Sequence, residues 1–155
     1  MSVKAHLDHV AIPAQHPKEL ASYYRTLLDL DQTLEGTLPN LGDFVFLGDN
    51  DAGQPQTLAL ITRAEARHIA WQVESLAALK AFYANAKAHA IPISFALNHR
   101  VSLSLYLRDP EGNAVEVFWP TGQNVEGMHA QPFDLALLEQ PDAALLSLVN
   151  GSTPA

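Results

Sequence analysis

Two histidines and one glutamate are the residues of this chain whose types and spacing could do chemistry. His9 and His68 occupy matching positions in a repeat. His9 to Tyr24 (HVAIPAQHPKELASYY) lies over His68 to Tyr83 (HIAWQVESLAALKAFY) without a gap, at a constant offset of 59. Each histidine is followed two residues later by an alanine, Ala11 or Ala70. On a strand that alanine shares the histidine's face and leaves room in front of it. Glu116 is the lone carboxylate of the apolar run Ala114-Val115-Glu116-Val117-Phe118-Trp119. Enclosed, it would need a metal, a cation or a proton, because an unpaired buried carboxylate is costly. Either histidine alone reads more simply as a core or surface residue. Their equivalence in a duplicated unit, with Glu116, favours a metal site. Two imidazoles and one carboxylate suit Fe(II), Mn(II) or another divalent ion, with positions left for substrate.

The element that must carry Glu116 is a β-hairpin over Val101 to Trp119, turning at Asp109-Pro110-Glu111-Gly112. Pro at the second turn position and Gly at the fourth suit a type I turn with a glycine bulge. Val101, Leu103, Leu105 and Leu107 fall on one face of its first strand, and Ser102, Ser104 and Tyr106 on the other. Folding about Glu111 sets Tyr106 opposite Glu116, where cross-strand side chains touch. The polar face would line a cavity and the aliphatic face would lie under helices.

The two histidines need strands of their own, at Ala5 to Pro13 and around His68. Pro17 opens a helix with an apolar stripe of Leu20, Tyr23, Tyr24, Leu27 and Leu28. Strands follow at Gln32 to Leu34, Asp43 to Leu47 and Thr57 to Thr62, separated by clusters such as Gly48 to Gly53. Ser75 caps a second helix that ends before Ile91-Pro92. A strand around Ile93 to Ala96 and then the hairpin complete the copy. The order is βαβββ twice, in modules 5–63 and 64–120 of one domain spanning 1–120. Residues 121–155 form a Leu-rich extension that could cover a sheet edge, plug a cavity or dock on a second subunit. In it Asp142 could cap a short helix, and 151–155 reads as a frayed end.

A chain of 155 residues, 48% hydrophobic and 17% charged, is long enough for one well-buried core. The net charge of −8 argues against nucleic acid and anionic membranes as partners. With no cysteine, disulfides, thiolate ligands and a cysteine nucleophile are excluded. No targeting segment or long apolar run is evident, so a cytoplasmic location is expected.

The duplicated βαβββ, Asp8-His9-Val10-Ala11-Ile12, Arg67-His68-Ile69-Ala70, and Asp109-Pro110-Glu111-Gly112-Asn113 before Val115-Glu116-Val117 together resemble the vicinal oxygen chelate superfamily. That group contains glyoxalase I, extradiol ring-cleaving dioxygenases, fosfomycin-resistance enzymes and bleomycin-binding proteins. The likeness covers residues 5–120. It implies an α+β fold in which the paired modules build one cup-shaped, eight-stranded mixed sheet around a metal held by His9, His68 and Glu116. Glyoxalase I-like lyases carry a second glutamate where this chain has Ala59. Small catechol 2,3-dioxygenase-like proteins are most similar, having a Tyr ten residues before the Glu, as Tyr106 is. Their acid–base His lies nine residues before that Tyr, where Leu97 stands here; His99 is seven before it.

The resemblance implies an extradiol-type dioxygenase of aromatic catabolism, with Fe(II) as the metal (alternatives Mn(II), Zn(II) and Ni(II)). It would act with O2 on a catechol-like aromatic. Tyr106 would hydrogen-bond the substrate and His99 would shuttle a proton, with Ser102, Ser104 and Phe118 lining the pocket. It also implies a homodimer. The alternatives are a glyoxalase-like lyase, isomerase or thiol transferase, and a small-molecule or antibiotic-binding resistance protein of the same fold.

Overall fold

The computed structural model describes residues 3–151. Of the end read as frayed, 152–155 lie outside the described residues. The described chain falls into two compact units, one of residues 8–70 and one of residues 3–7 with 71–151. It has nine strands, those of each unit joined in a sheet, and three α-helices. The α+β class is as the sequence implies, with one strand more than the eight expected.

In the first unit lie β1 (Ala5–Pro13, which starts just before it), α1 (Pro17–Leu28), β2 (Asp31–Leu38), β3 (Gly42–Asp49) and β4 (Gln54–Ile61). Their order in the sheet is β2-β3-β4-β1. Only a parallel pair needs a long crossover, and β1 lies parallel to β4 with Ala11 opposite Ala59. Strand β3 is buried on both faces. Phe44 and Phe46 pack with Ala11, Ala59 and Ile61, whereas Val45 and Leu47 pack with Leu60, Ala14 and Ala21.

Helix α1 meets that second cluster through Leu20, Ala21 and Tyr24 rather than through the whole expected stripe. Tyr23, Leu27 and Leu28 are more than half exposed. The small Ala21 is what lets the backbone approach β3 closely, and this rotates the larger residues outward.

The second unit contains β5 (His68–Val73, entering from the first), α2 (Leu76–Ala88), β6 (Ile93–Asn98), β7 (Ser102–Arg108), β8 (Ala114–Pro120), β9 (Gln131–Pro132) and α3 (Asp142–Val149). Ser75 caps α2, accepting from the Ala78 amide, a contact typically worth about 1 kcal/mol. The β7–β8 hairpin has the expected register, Tyr106 opposite Glu116 and Ser104 opposite Phe118. Its turn closes through the Gly112 amide to the Asp109 carbonyl, with Gly112 at φ +85°. A side chain there would meet the left-handed penalty that glycine avoids. The Asp109 carboxylate accepts from the Asn113 side chain and from the amides of Asn113 and Glu111. These bonds, the Asn113 side chain first, hold its pKa below the usual carboxylate value.

The extension covers a sheet edge. Strand β9 is the additional one and pairs with β6 through Leu97–Pro132 and Asn98–Gln131. It occupies edge groups that would otherwise be open to pairing. A 3-10 turn, Leu135–Glu139, and then α3 bring Leu138, Leu145 and Val149 into the core with Val73, Leu79, Leu103, Leu105 and Val117. Asp142 is not the cap of α3. It lies inside the first turn, Pro141 precedes it, and its carboxylate takes the Lys80 ammonium at 2.6 Å. The charged partner on α2 outcompetes the backbone amides for that carboxylate.

Candidate functional site

In the first unit the structure brings His9 and His68 together. Ala11 and Ala70, two residues on from each histidine, are both almost fully buried. The rings meet edge to face, with centroids 5.3 Å apart, and their Nε2 atoms are separated by 3.2 Å. The other nitrogens fix the tautomers. His68 Nδ1 lies 2.8 Å from the Ala66 carbonyl, which can only accept. His9 Nδ1 lies 2.7 Å from the Asp8 carboxylate. Both Nδ1 atoms therefore donate, and a neutral ring then keeps a lone pair on Nε2. Two lone pairs aimed at each other repel unless a proton or a cation lies between them. Metal–nitrogen bonds of about 2.0–2.1 Å put two donors about 2.8–3.4 Å apart for bond angles between square and tetrahedral. The observed separation fits that window. Anchoring of the remote ring nitrogen by a carboxylate or a carbonyl is also how metal-bound histidines are held.

Where a second carboxylate ligand would stand on β4, the methyl of Ala59 is packed beside Ala11. The fourth protein ligand of a glyoxalase I-like centre is absent.

In the second unit the structure brings His99, Tyr106 and Glu116 together. Glu116 is 5% exposed. The Tyr106 phenol donates to Glu116 Oε1 at 2.9 Å and lies 3.0 Å from His99 Nε2. His99 Nδ1 donates to the His129 carbonyl at 2.5 Å. A neutral His99 then presents only an acceptor to a phenol with a single proton. That one proton can be turned to either acceptor, Glu116 Oε1 or His99 Nε2, and so links the two. Burial, then the Glu116 carboxylate, push the Tyr106 pKa well above its ordinary value. The phenol therefore stays protonated in ordinary buffers.

The imidazole beside Tyr106 comes from position 99. Leu97 occupies the ladder position opposite Ser104, and His99 lies just past the end of β6, where its amide bonds the Ser102 carbonyl. Ser102 and Ser104 face each other at 3.4 Å between hydroxyls. Ser104 and Phe118 are cross-strand partners, both buried.

Three participants escaped the sequence reading. Asp8 orients His9, and an aspartate preceding a candidate ligand is the signal that could have found it. Phe95, half exposed, stacks on Tyr106 with centroids 4.6 Å apart and planes at 15°. That pairing depends on a register shift between Ile93 and Phe95, which periodicity does not show. The His129 carbonyl is a backbone atom 30 residues from His99, and no sequence signal marks it.

Residues 6–117 match the family described as the Glyoxalase/Bleomycin resistance protein/Dioxygenase superfamily. The chain belongs to that superfamily. No curated protein sequence matches it. Among solved structures it is similar to a catechol 2,3-dioxygenase, at 22% identity and a TM-score of 0.60, covering 86% of this chain and 46% of that one. It is also similar to the 2,2',3-trihydroxybiphenyl 1,2-dioxygenase of Sphingomonas wittichii strain RW1, at 19% identity and a TM-score of 0.57, covering 84% and 44%. A Streptomyces coelicolor methylmalonyl-CoA epimerase in complex with 2-nitronate-propionyl-CoA matches at 17% identity and a TM-score of 0.57, covering 78% and 100%. The chain thus spans about half the length of the dioxygenases and the whole of the epimerase. These likenesses show the shared fold. No described helix of this superfamily member is long and apolar enough to cross a membrane.

Proposed function

We propose that His9, His68 and Glu116, each offering one ligand atom, hold a divalent metal, Fe(II) in the first instance. The protein is then an extradiol-type dioxygenase that opens a catechol-like ring with O2. Both oxygen atoms enter the ring-opened product, so no further reductant is needed. When bound, the metal lowers the pKa of the catechol hydroxyls and brings substrate and O2 together.

The observation that carries this reading is the hydrogen-bonded chain His129 carbonyl–His99–Tyr106–Glu116. An imidazole thus lies one phenol away from the Glu116 carboxylate, which supports its use as the base. His99 takes the proton that leaves the substrate hydroxyl and returns it as the ring opens. Tyr106 passes hydrogen-bonding from one to the other without ionising. Ser102, Ser104 and Phe118 line the pocket. Cytoplasmic location and dimer formation belong to the same proposal.

The test is Fe(II)-loaded protein with a panel of catechols, following O2 uptake and the yellow ring-cleavage product. Tyr106→Phe should lower the rate by roughly 10²–10⁴-fold, the usual worth of a positioned proton-transfer group. Metal-replete protein that consumes no O2 with any catechol overturns the reading.

A second reading, an isomerase working without O2, is favoured by the full-length match to the epimerase. There His99 and Tyr106 would move a proton at carbon. Deuterium exchange from solvent into methylmalonyl-CoA, with no O2 uptake, would select it.

A further inference from the structure

We propose that Asn98 and Thr121 are positioning residues for His99. They tie the turn between β6 and β7 to the C-terminal extension, so that the His129 carbonyl dictates which ring nitrogen faces Tyr106. The inference deepens the reading above, since tautomer control matters to catalysis only if His99 carries the proton.

Asn98 ends β6 and is 3% exposed. A buried amide needs partners at both ends, and both are present. Its Nδ2 donates to the Leu148 carbonyl in the last turn of α3 at 3.0 Å, and its Oδ1 accepts from the Arg100 amide at 2.8 Å. The Leu148 carbonyl, at the end of α3, also accepts from the Gly151 amide at 3.1 Å. On the other side of the turn, the Thr121 hydroxyl donates to the Arg100 carbonyl at 2.6 Å. The Thr121 amide donates to the Val101 carbonyl at 2.9 Å. Arg100 is held at φ +65°, a conformation that a residue with a side chain adopts only when its surroundings impose it.

The residue between these tethers is His99. Its Nδ1 proton goes to the carbonyl of His129, and the loop carrying that carbonyl is closed on itself by His129 Nε2 donating to the Glu126 carbonyl at 3.0 Å. The residues at the end of the chain therefore supply both the turn geometry and the acceptor. The strained turn swings the imidazole back over β7, and the carbonyl holds the proton on Nδ1, leaving Nε2 for Tyr106. A free imidazole exchanges between two tautomers; this one is restricted to one. A clamp serving only to dock α3 would have no reason to fix a ring nitrogen.

The experiment uses full-length, metal-free protein labelled with 15N histidine. Long-range proton–nitrogen spectra are recorded in alkaline buffer, and His99 is assigned from His99→Gln. In the wild type, His99 should show Nδ1 protonated and Nε2 bare. Thr121→Val is nearly isosteric and keeps the fold testable; it should shift His99 to averaged tautomers while the signals of surface His6 and His89 stay in place. Thr121→Ser should restore the single tautomer, and Asn98→Ala should repeat the loss. A folded Thr121→Val protein whose His99 remains wholly Nδ1-protonated overturns the proposal, as does a wild type with the proton on Nε2. No metal, O2 or substrate enters this measurement. Failure to cleave catechols with the tautomer pattern intact would remove the dioxygenase reading and leave the positioning role standing.

Discussion

Asp8→Asn tests the proposed metal centre through a residue that would not itself touch the ion. The Asp8 carboxylate accepts from His9 Nδ1 at 2.7 Å, with side-chain exposures of 18% and 9% for Asp8 and His9. A hydrogen bond to a charged group is worth about 1.5–3 kcal/mol, against about 0.5–1.5 kcal/mol between neutral groups. Asparagine keeps a carbonyl acceptor in the same place and removes the charge, so the expected loss is roughly 1–1.5 kcal/mol. At about 1.4 kcal/mol per decade this weakens metal binding roughly tenfold. Outer ligand partners of this kind typically cost about 10–100-fold in affinity. The sign follows from basicity: the carboxylate pushes electron density toward Nε2 and makes it a better donor. Competition with a chromophoric chelator, using Mn(II) or Zn(II) to avoid oxidation, reads the dissociation constant directly. Asp51→Asn changes the net charge equally at an exposed position and serves as the control. If folded Asp8→Asn binds metal as tightly as the control, His9 is not a ligand oriented by Asp8.

Two further outcomes concern the scaffold. Leu145→Ala removes a fully buried side chain of α3 from the core of the second unit and should lower unfolding stability by about 2–5 kcal/mol in a urea titration; a loss below ~1 kcal/mol would mean that α3 is not docked there. Asp109→Asn addresses the hairpin turn, where the folded pKa of the carboxyl is depressed by its bonds to Asn113 and the turn amides. A depressed folded pKa contributes stability above the ordinary carboxylate value and loses it as pH falls through the folded value. Urea midpoints of wild type and variant should therefore differ at neutral pH and converge in acid, and a constant difference would refute the assignment.

Local chemistry explains which features were legible in the chain itself. The turn at Asp109-Pro110-Glu111-Gly112 fixes the hairpin register, because Pro and Gly each admit few backbone conformations, and that register alone sets Tyr106 against Glu116. Ser75 and Pro17 marked helix starts for the same kind of reason. The repeat placed His9 and His68 at equivalent positions, since an identical pattern of apolar residues folds to an identical unit. The expected α1 face failed because five apolar residues exceed what one small-residue contact at Ala21 can bury. Periodicity does not say which of them lose.

The sequence by itself determined the element order of the two βαβββ copies, the hairpin pairing and the family, all of which follow from short-range stereochemistry and from the repeat. Only the tertiary structure decided how an imidazole at position 99 comes within 3.0 Å of the Tyr106 phenol. It alone brought the His129 carbonyl to that imidazole and the Leu148 carbonyl to the neighbouring Asn98. These contacts join groups 30 and 50 residues apart through backbone oxygens. Every residue carries such an oxygen, so no residue type can announce which one will be used.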